Sequence, residues 1–409
     1  MKRFYFYLVL VLWGLLPVYA QNAGNDFVLL SGYVKNMATR ESVPDAEIHV
    51  PGTNVGVITN EDGFFSLKVA TMPSQLDITA IGFRNHHFPL RGVKDKEKLE
   101  ISLIPNTTIL NNVTVYSPSN IVMTAIEKIP ANYSSTPELF STFYRETVRK
   151  KGRYVNLSEA VLEMYKSSYK YQISSDFVKI IKGRKLISQR GKDTLAIKVQ
   201  GGPYEALVLD LVKNRDYLLN DEEMQLYNFA MDEGVEINDR PQYVINFTPR
   251  YITDRPLYRG RMYIDKELMA FTRIEMSLDM SDQEKAIHFM LVHKPLSLRF
   301  RPRELTTYVN YHYDGRYSRI SYVRNVYNFN CDWKKKLFAT NYLVVSEMVV
   351  TDHSMIDKVP PRKGSFHSYE ALDSKVEDFN DPAFWENYNI LEPSESLESA
   401  VKKLKKRAE

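Results

Sequence analysis

One segment of the sequence has the spacing of a metallopeptidase ligand pair. His367-Ser368-Tyr369-Glu370 places a His and a Glu three residues apart. With a later His, such a pair can hold Zn²⁺ with one position open for water. No His follows Glu370. A third ligand would have to come from upstream, against that order, so the segment is expected to be a surface loop. His288 and His293 lie five apart, which suits neither one helix face nor one strand face. His86 and His87 are adjacent; on a strand they point to opposite faces and are expected at a surface or an edge. Asn60-Glu61-Asp62-Gly63 is an acidic loop ending in Gly. A calcium loop of the EF-hand type needs a longer ligand series closed by a Glu, so a hairpin turn is expected here. Cys331 is the single cysteine and has no His nearby, which excludes an internal disulfide and describes an unactivated thiol. The sequence contains no His-Glu-x-x-His, no Gly-x-Ser-x-Gly and no Gly-x-x-x-x-Gly-Lys. Arg145, with Glu146, Glu159 and Glu163 in reach, is read as pairing with a carboxylate across adjacent strands. No catalytic, cofactor-binding or metal-binding residue is therefore assigned, no cofactor is expected, and the chain is expected not to be an enzyme.

The elements that carry these residues follow from pattern. The chain has 409 residues, enough for two domains, with 44% hydrophobic, 25% charged and 12% aromatic residues, an ordinary globular composition that leans towards strand. A net charge of +4 from 54 basic and 50 acidic residues is too balanced to indicate a nucleic-acid partner. Residues 1–20 read as a secretory signal peptide: Lys2 and Arg3, an apolar run from Leu8 to Leu16, and Val18-Tyr19-Ala20 before Gln21. No later segment approaches the roughly 20 apolar residues of a spanning helix, so no transmembrane span is expected after cleavage. Residues 395–409 read as a helix, with Leu397, Val401, Leu404 and Ala408 on one face and a basic cluster around the rest.

From Val28 to Tyr116, short period-2 runs recur about every ten residues. They are Ile48 with Val50, then Phe65, Leu67 and Val69, then Leu76, Ile78 and Ala80, then Leu99, Ile101 and Leu103. Val43-Pro44-Asp45, Pro51-Gly52-Thr53-Asn54 and Asn60–Gly63 supply turns between them. This is the pattern of an antiparallel β-sandwich. The series Ser31-Gly32-Tyr33-Val34, Val43–Val50, Gly52-Thr53, Gly56, Thr59–Phe65 and Ile81-Gly82-Phe83 resembles the carboxypeptidase regulatory-like domain. That resemblance implies a seven-stranded, prealbumin-like Greek-key sandwich without catalytic residues. It also implies kinship with modules found at the N-termini of Bacteroidetes envelope proteins.

From Ser117 onward a helix is expected at Ile121–Ile129, stopped by Pro130, with helices at Tyr204–Asn214 and Asp221–Met231. Strands are expected around Tyr243–Phe247, Ile274–Leu278 and Val309–Tyr313. Another is expected where Leu343, Val345 and Val349 share a face interrupted by Glu347. Together these predict a larger antiparallel β-rich α+β domain over 117–409, built on one large sheet whose apolar face must be covered. Ala125–Tyr133, Phe143–Glu146, Ser158-Glu159-Ala160 and Phe384–Asn389 with Glu392–Leu397 resemble a Bacteroidetes domain of unknown function that follows the same module. Gly260–Asp265 followed by Phe271–Glu275 resembles the strand-turn-strand of lipoprotein-carrier half-barrels, which implies a concave sheet able to hold an apolar ligand. Asp193-Thr194-Leu195 fits the short O-glycosylation pattern of Bacteroidetes secreted proteins.

The expected function is a non-enzymatic, exported cell-envelope protein, periplasmic or outer-membrane-associated, in which the sandwich is an interaction module and the second domain a binding scaffold. An envelope protein is the expected partner. The alternatives are a carrier of an apolar ligand on a half-barrel and a metallopeptidase-like hydrolase with a dispersed site.

Overall fold

A computed structural model describes residues 27–53, 55–94, 97–106, 117–171, 175–187, 201–290, 298–333 and 339–381, and beyond these 384–385, 388, 390–394, 398–399 and 401–402. The segment read as a signal peptide, Asp193-Thr194-Leu195, His293 and most of the segment read as a C-terminal helix lie outside the described residues.

The N-terminal unit is the predicted seven-stranded sandwich. Its strands are β1 (Val28–Asn36), β2 (Glu47–His49), β3 (Gly56–Ile58), β4 (Phe64–Val69), β5 (Gln75–Thr79), β6 (His86–Pro89) and β7 (Lys98–Leu103). They form a three-stranded sheet, β4-β1-β7, and a four-stranded sheet, β3-β2-β5-β6. All pairs are antiparallel except β1 with β7, which run parallel. The alternation read from the sequence is the alternation of burial: Phe65, Leu67 and Val69 point inward while Phe64, Ser66 and Lys68 do not. Leu30, Ile48, Phe65, Leu67, Leu76, Ile78 and Leu103 meet in one core.

The remainder is built on one open, fully antiparallel sheet of ten strands. They are β8 (Glu138–Lys150), β9 (Arg153–Lys166), β10 (Phe177–Ile187), β11 (Tyr227–Ile237), β12 (Arg240–Pro249), β13 (Tyr258–Asp265), β14 (Phe271–Leu278), β15 (Leu298–Tyr313), β16 (Ser318–Trp333) and β17 (Thr340–Met355). Two meanders, β8-β9-β10 and β11 through β17, are joined where β17 pairs with β8, giving the order β10-β9-β8-β17-β16-β15-β14-β13-β12-β11. The end strands β10 and β11 do not pair. Edge strand β10 is covered by a 3₁₀ turn at Val376–Phe379. Gly183 permits this approach, because a Cβ there would sit 2.4 Å from Val376 Cγ2. Covering an exposed edge in this way removes a template for unwanted strand pairing.

Short helices lie over one face of this sheet: α1 (Pro118–Glu127), α2 (Ile129–Asn132), α3 (Gly202–Val208) and α4 (Asp221–Met224), with α5 (Gln283–Met290) and α6 (Leu372–Lys375) further along. Ser117 caps α1, its Oγ accepting from Asn120 N at 3.3 Å. Three expectations are corrected. Pro130 does not simply end helical structure; it stands in the first turn of α2, where its missing N–H costs no hydrogen bond. The helix expected at Tyr204–Asn214 starts earlier, at Gly202, and ends at Val208. Only the first turn of the helix expected at Asp221–Met231 forms, capped by Asn220. From Tyr227 the chain is edge strand β11, because Tyr227, Phe229 and Met231 also satisfy period 2. On β17 the fully buried face is Tyr342, Val344, Ser346 and Met348, and Leu343, Val345 and Glu347 lie on the less buried side. Both faces of the strand are covered, so alternation alone could not say which faced the core. Among the described residues, no helix is long and apolar enough to cross a membrane.

Candidate functional site

The two faces of the ten-stranded sheet have different chemistry. Its inner face carries Ala160, Leu162, Met164, Val178, Ile245, Phe247, Met262, Ile274 and Val309. Over these lie Ile121, Val122, Leu207, Leu211, Val212, Leu218 and Leu219 from α1, α3 and the segment after α3. One polar knot fastens that segment. Lys166 pairs with Asp210 at 2.6 Å, Lys213 pairs with Asp176 at 2.9 Å, and the hydroxyls of Tyr169 and Tyr311 donate to Asp210 at 2.6 and 3.2 Å. Two cations and two anions, all buried, balance one another. The face that a lipoprotein-carrier half-barrel would offer to a ligand is thus occupied by the chain's own leucines.

Glu146 also points inward, away from the ion pairs expected of the Arg145 set. Burial, with the Asp373 carboxylate adding to it and Tyr144 opposing, pushes its carboxyl up to about 8.

The outer face is charged and aromatic, and the sandwich and the C-terminal segment cover it. Arg145 and Glu159 stand opposite each other in the β8–β9 register. Arg145 Nε donates to Glu159 Oε1 at 2.7 Å, and Arg184 Nε donates to Oε2 at 2.6 Å. Burial pushes the Glu159 carboxyl up, but the two guanidinium groups outweigh it and hold the group below the ordinary carboxylate range. Arg145 also donates to the carbonyl of Leu391 at 2.6 Å, and Arg184 lies over the Trp385 ring at 4.3 Å. Trp385 and Leu391 complete an apolar cluster with Phe143, Val161, Tyr322, Val349 and, from the sandwich, Ile58. Of the charged set singled out by sequence, Arg145 and Glu159 come together in a structural pair as expected.

Polar contacts seat the sandwich. Asn60 Nδ2 donates to the Pro393 carbonyl at 3.1 Å, and Lys68 Nζ donates to the Tyr388 carbonyl at 2.9 Å. Arg324 faces Asp45 at 3.6 Å and Glu61 at 3.9 Å. Beside these contacts opens a cleft of about 580 Å³, lined by Val50, Pro51 and Lys68 of the sandwich and by Ser141, Thr351 and Tyr388 of the sheet side. That volume lies within the range of ligand pockets. Tyr388 and Thr351 share a hydroxyl hydrogen bond of 2.6 Å on its wall.

At the same interface Glu47 and His49 of β2 meet His312 of β15. Among the described residues, these three form a group whose potential ligand atoms all lie within 4.8 Å of one another. Glu47 Oε2 is 3.4 Å from His49 Nε2 and 3.9 Å from His312 Nδ1, and the two imidazoles are stacked with centroids 4.1 Å apart. Burial pushes Glu47 up, but the hydrogen bond from His49, the two rings and Asn310 bring it down to about 2. Burial and the neighbouring His49 push His312 down to about 4. An ionised carboxylate beside a neutral imidazole is the protonation state that metal ligation requires. The sequence reading assigned no metal-binding residue; the structure brings together a candidate ligand set that this reading did not single out. Part of its signal was legible, since Glu47 and His49 are i and i+2 on a strand and share a face. His312 was not legible, because only the docking of the sandwich brings it there.

The other residues singled out by sequence remain apart. His367 and Glu370 close a surface loop, with His367 N donating to Glu370 Oε2 at 2.9 Å and Lys375 pairing with Glu370 at 2.7 Å. Asn60–Gly63 forms the expected turn, where Asn60 Oδ1 accepts from the N–H groups of Asp62 and Phe64 at 2.9 Å and Gly63 adopts φ 72°. His86 and His87 lie on edge strand β6, half-buried and exposed respectively. Cys331 is buried in β16, and burial pushes its thiol up to about 11.

No curated protein shows significant sequence similarity to the chain. Among solved structures, a domain of an outer-membrane lipoprotein-sorting protein from Vibrio parahaemolyticus is similar at a TM-score of 0.27 and 9% identity, over 60% of this chain and 96% of that one. A DUF1329 family protein from Desulfovibrio piger is similar at a TM-score of 0.25 and 9% identity, over 62% and 100% respectively. Similarities this shallow assign neither fold nor function. The sandwich is another matter: its strands, its turns and its core coincide with a stretch, residues 30–115, that matches the family model of the CarboxypepD_reg-like domain.

Proposed function

We propose that this chain is a non-enzymatic protein of the bacterial cell envelope, exported by residues 1–20, and that it works as a binding scaffold. In this reading the chain divides into a sandwich over 28–116 and a β-rich domain over 117–409. The sandwich is clamped on the outer face of the large sheet, and an envelope protein is the partner. The observation that carries the reading is the cleft of about 580 Å³ walled by both units. It gives a partner's side chains a recess that neither unit forms alone. Fold by itself licenses no reaction, and the cleft is lined by hydroxyls, Lys68, Asp352 and apolar side chains that a partner's polar and apolar groups can meet.

The test is fractionation of the native host combined with site-specific photo-crosslinking. A crosslinker at Thr71, exposed on the cleft rim, is expected to capture one envelope component from the periplasmic or outer-membrane fraction. The same probe at Glu222, exposed on α4, is expected to capture none. Retention of the uncleaved chain in the cytoplasm, or equal capture from both positions, would overturn the reading.

A second reading, a carrier of an apolar ligand, is favoured by the Val50, Pro51 and Val55 part of the same cleft. It predicts copurifying lipid in native mass spectra, lost in a Val55→Asp variant. A carrier would have to use this cleft, since the inner face of the sheet is already filled.

A further inference from the structure

We propose that Glu47, His49 and His312 form a binding site for a divalent transition-metal ion, Zn²⁺ above all, which ties the sandwich to the large sheet. The proposal is independent of the scaffold reading, because it rests on ligand geometry at a different point of the interface.

The ligand set is one that zinc uses. Two imidazole nitrogens and one carboxylate oxygen are borderline donors suited to Zn²⁺, and three protein ligands leave a fourth position for water. The surroundings orient each ligand. The two oxygens of Glu47 are divided between tasks: Asn310 Nδ2 donates to Oε1 at 3.1 Å and Ser321 Oγ at 3.4 Å, which leaves Oε2 facing both rings. Hydrogen bonds of this kind to a ligating carboxylate are the usual outer shell of a metal site. The ring of His49 lies against Gly56 of the neighbouring strand, where a Cβ would come within 2.5 Å of His49 Nδ1. This leaves Nε2 as the nitrogen turned to Glu47. His312 Nδ1, the atom that faces Glu47, is buried and has no hydrogen-bond partner among the described residues. An orphaned buried ring nitrogen costs free energy unless something satisfies it, and a metal ion here would.

The distances are within reach of coordination. Tetrahedral bonds of about 2.0–2.1 Å require ligand atoms roughly 3.3–3.5 Å apart. Glu47 Oε2 and His49 Nε2 already stand at 3.4 Å. The remaining separations, up to 4.8 Å, must shorten on binding, and the two stacked rings must tilt so that their in-plane lone pairs converge on the ion. The side chains of His49, Glu47 and His312 are 21%, 12% and 30% exposed, so an ion and its water can enter from solvent. Because Glu47 and His49 come from the sandwich and His312 from the sheet, the bound ion would crosslink units far apart in sequence.

The experiment is titration of Zn²⁺ into the tag-free, chelator-treated full chain, read by calorimetry and by thermal unfolding. One Zn²⁺ per chain and a raised Tm are expected. His49→Ala and His312→Phe, the latter keeping a ring stacked on His49, are expected to weaken binding at least ~100-fold, above the effect of losing an outer-shell partner, and to abolish the Tm shift. Gly56→Ala, which displaces the His49 ring, is expected to weaken it in the same direction. His367→Ala is expected to bind as the parent does. Circular dichroism and an unchanged metal-free Tm establish that each variant folds. Absence of Zn²⁺ binding in the parent chain, or equal stoichiometry and affinity in the His49 and His312 variants, would overturn the site.

Discussion

The inner and outer faces of the ten-stranded sheet are both buried, yet they are buried by different means. The inner face is largely aliphatic and aromatic and is covered by α1, α3, the leucine-rich stretch after α3 and, from further along, Phe366, Leu372 and Val376. The outer face places guanidinium groups, carboxylates and aromatic rings under two distant parts of the chain, the sandwich and a C-terminal part that includes Trp385, Tyr388 and residues 390–394. Hydrophobic burial is non-directional and needs only area. Ion pairs and hydrogen bonds need one geometry, and they penalise every other. The inner face therefore supplies stability, and the outer face supplies a single seating for what covers it.

Substitutions can break or sharpen that contrast. The largest effect is expected on the inner side, where Phe271 is fully buried. Phe271→Ala should cost about 3–5 kcal/mol in urea unfolding; a loss below 1 kcal/mol would mean that the inner face is not the main core. On the outer side, Arg145→Met leaves Glu159 buried with only Arg184 and should cost about 3 kcal/mol. The paired change Arg145→Met with Glu159→Leu should recover most of that loss, because the buried carboxylate is then gone and the guanidinium left over, Arg184, is part-exposed to water. If the double variant is as unstable as the single one, the pair contributes stability and not only seating.

A pH series tests Glu146, an ionisable group on the inner side that stands outside the polar knot. The value of Glu146 in the folded chain, about 8, is above its ordinary 4.5. Its contribution to stability is thus fully present below about pH 4.5 and is lost as pH rises through 8. Glu146→Gln, which resembles the protonated acid, should match the parent near pH 4.5 and exceed it by several kcal/mol at pH 8.5. Parallel stability curves for the two proteins would refute a raised value. The smallest effect is expected at the interface rim. Asn60→Ala removes one hydrogen bond to Pro393 and the side-chain cap of its own turn, for about 1 kcal/mol. Differential hydrogen exchange should show the loosening at residues 390–394 and not in β12–β14.

Much of this architecture was legible because its signals are local. Phe65, Leu67 and Val69 alternate in sequence as they alternate in burial, and Asn60–Gly63 carries its turn in its own side chains. Arg145 and Glu159 were legible as a cross-strand pair because β8 and β9 are neighbours in the chain. Where a segment satisfied two periods, as at Tyr227–Met231, local pattern could not choose, and the sheet edge that this segment completes decided for strand. On β17 both faces carry apolar residues, and alternation could not tell which would meet the helices.

The amino-acid order alone determined the strands and turns of the sandwich and the lack of any contiguous catalytic motif, since each depends on residues within a few positions of one another. Tertiary structure alone decided which face of the large sheet became the core, that the C-terminal segment would strap the other face, and that His312 would reach Glu47 and His49. Those outcomes require groups separated by hundreds of residues to meet, and only the docking of whole surfaces brings them together.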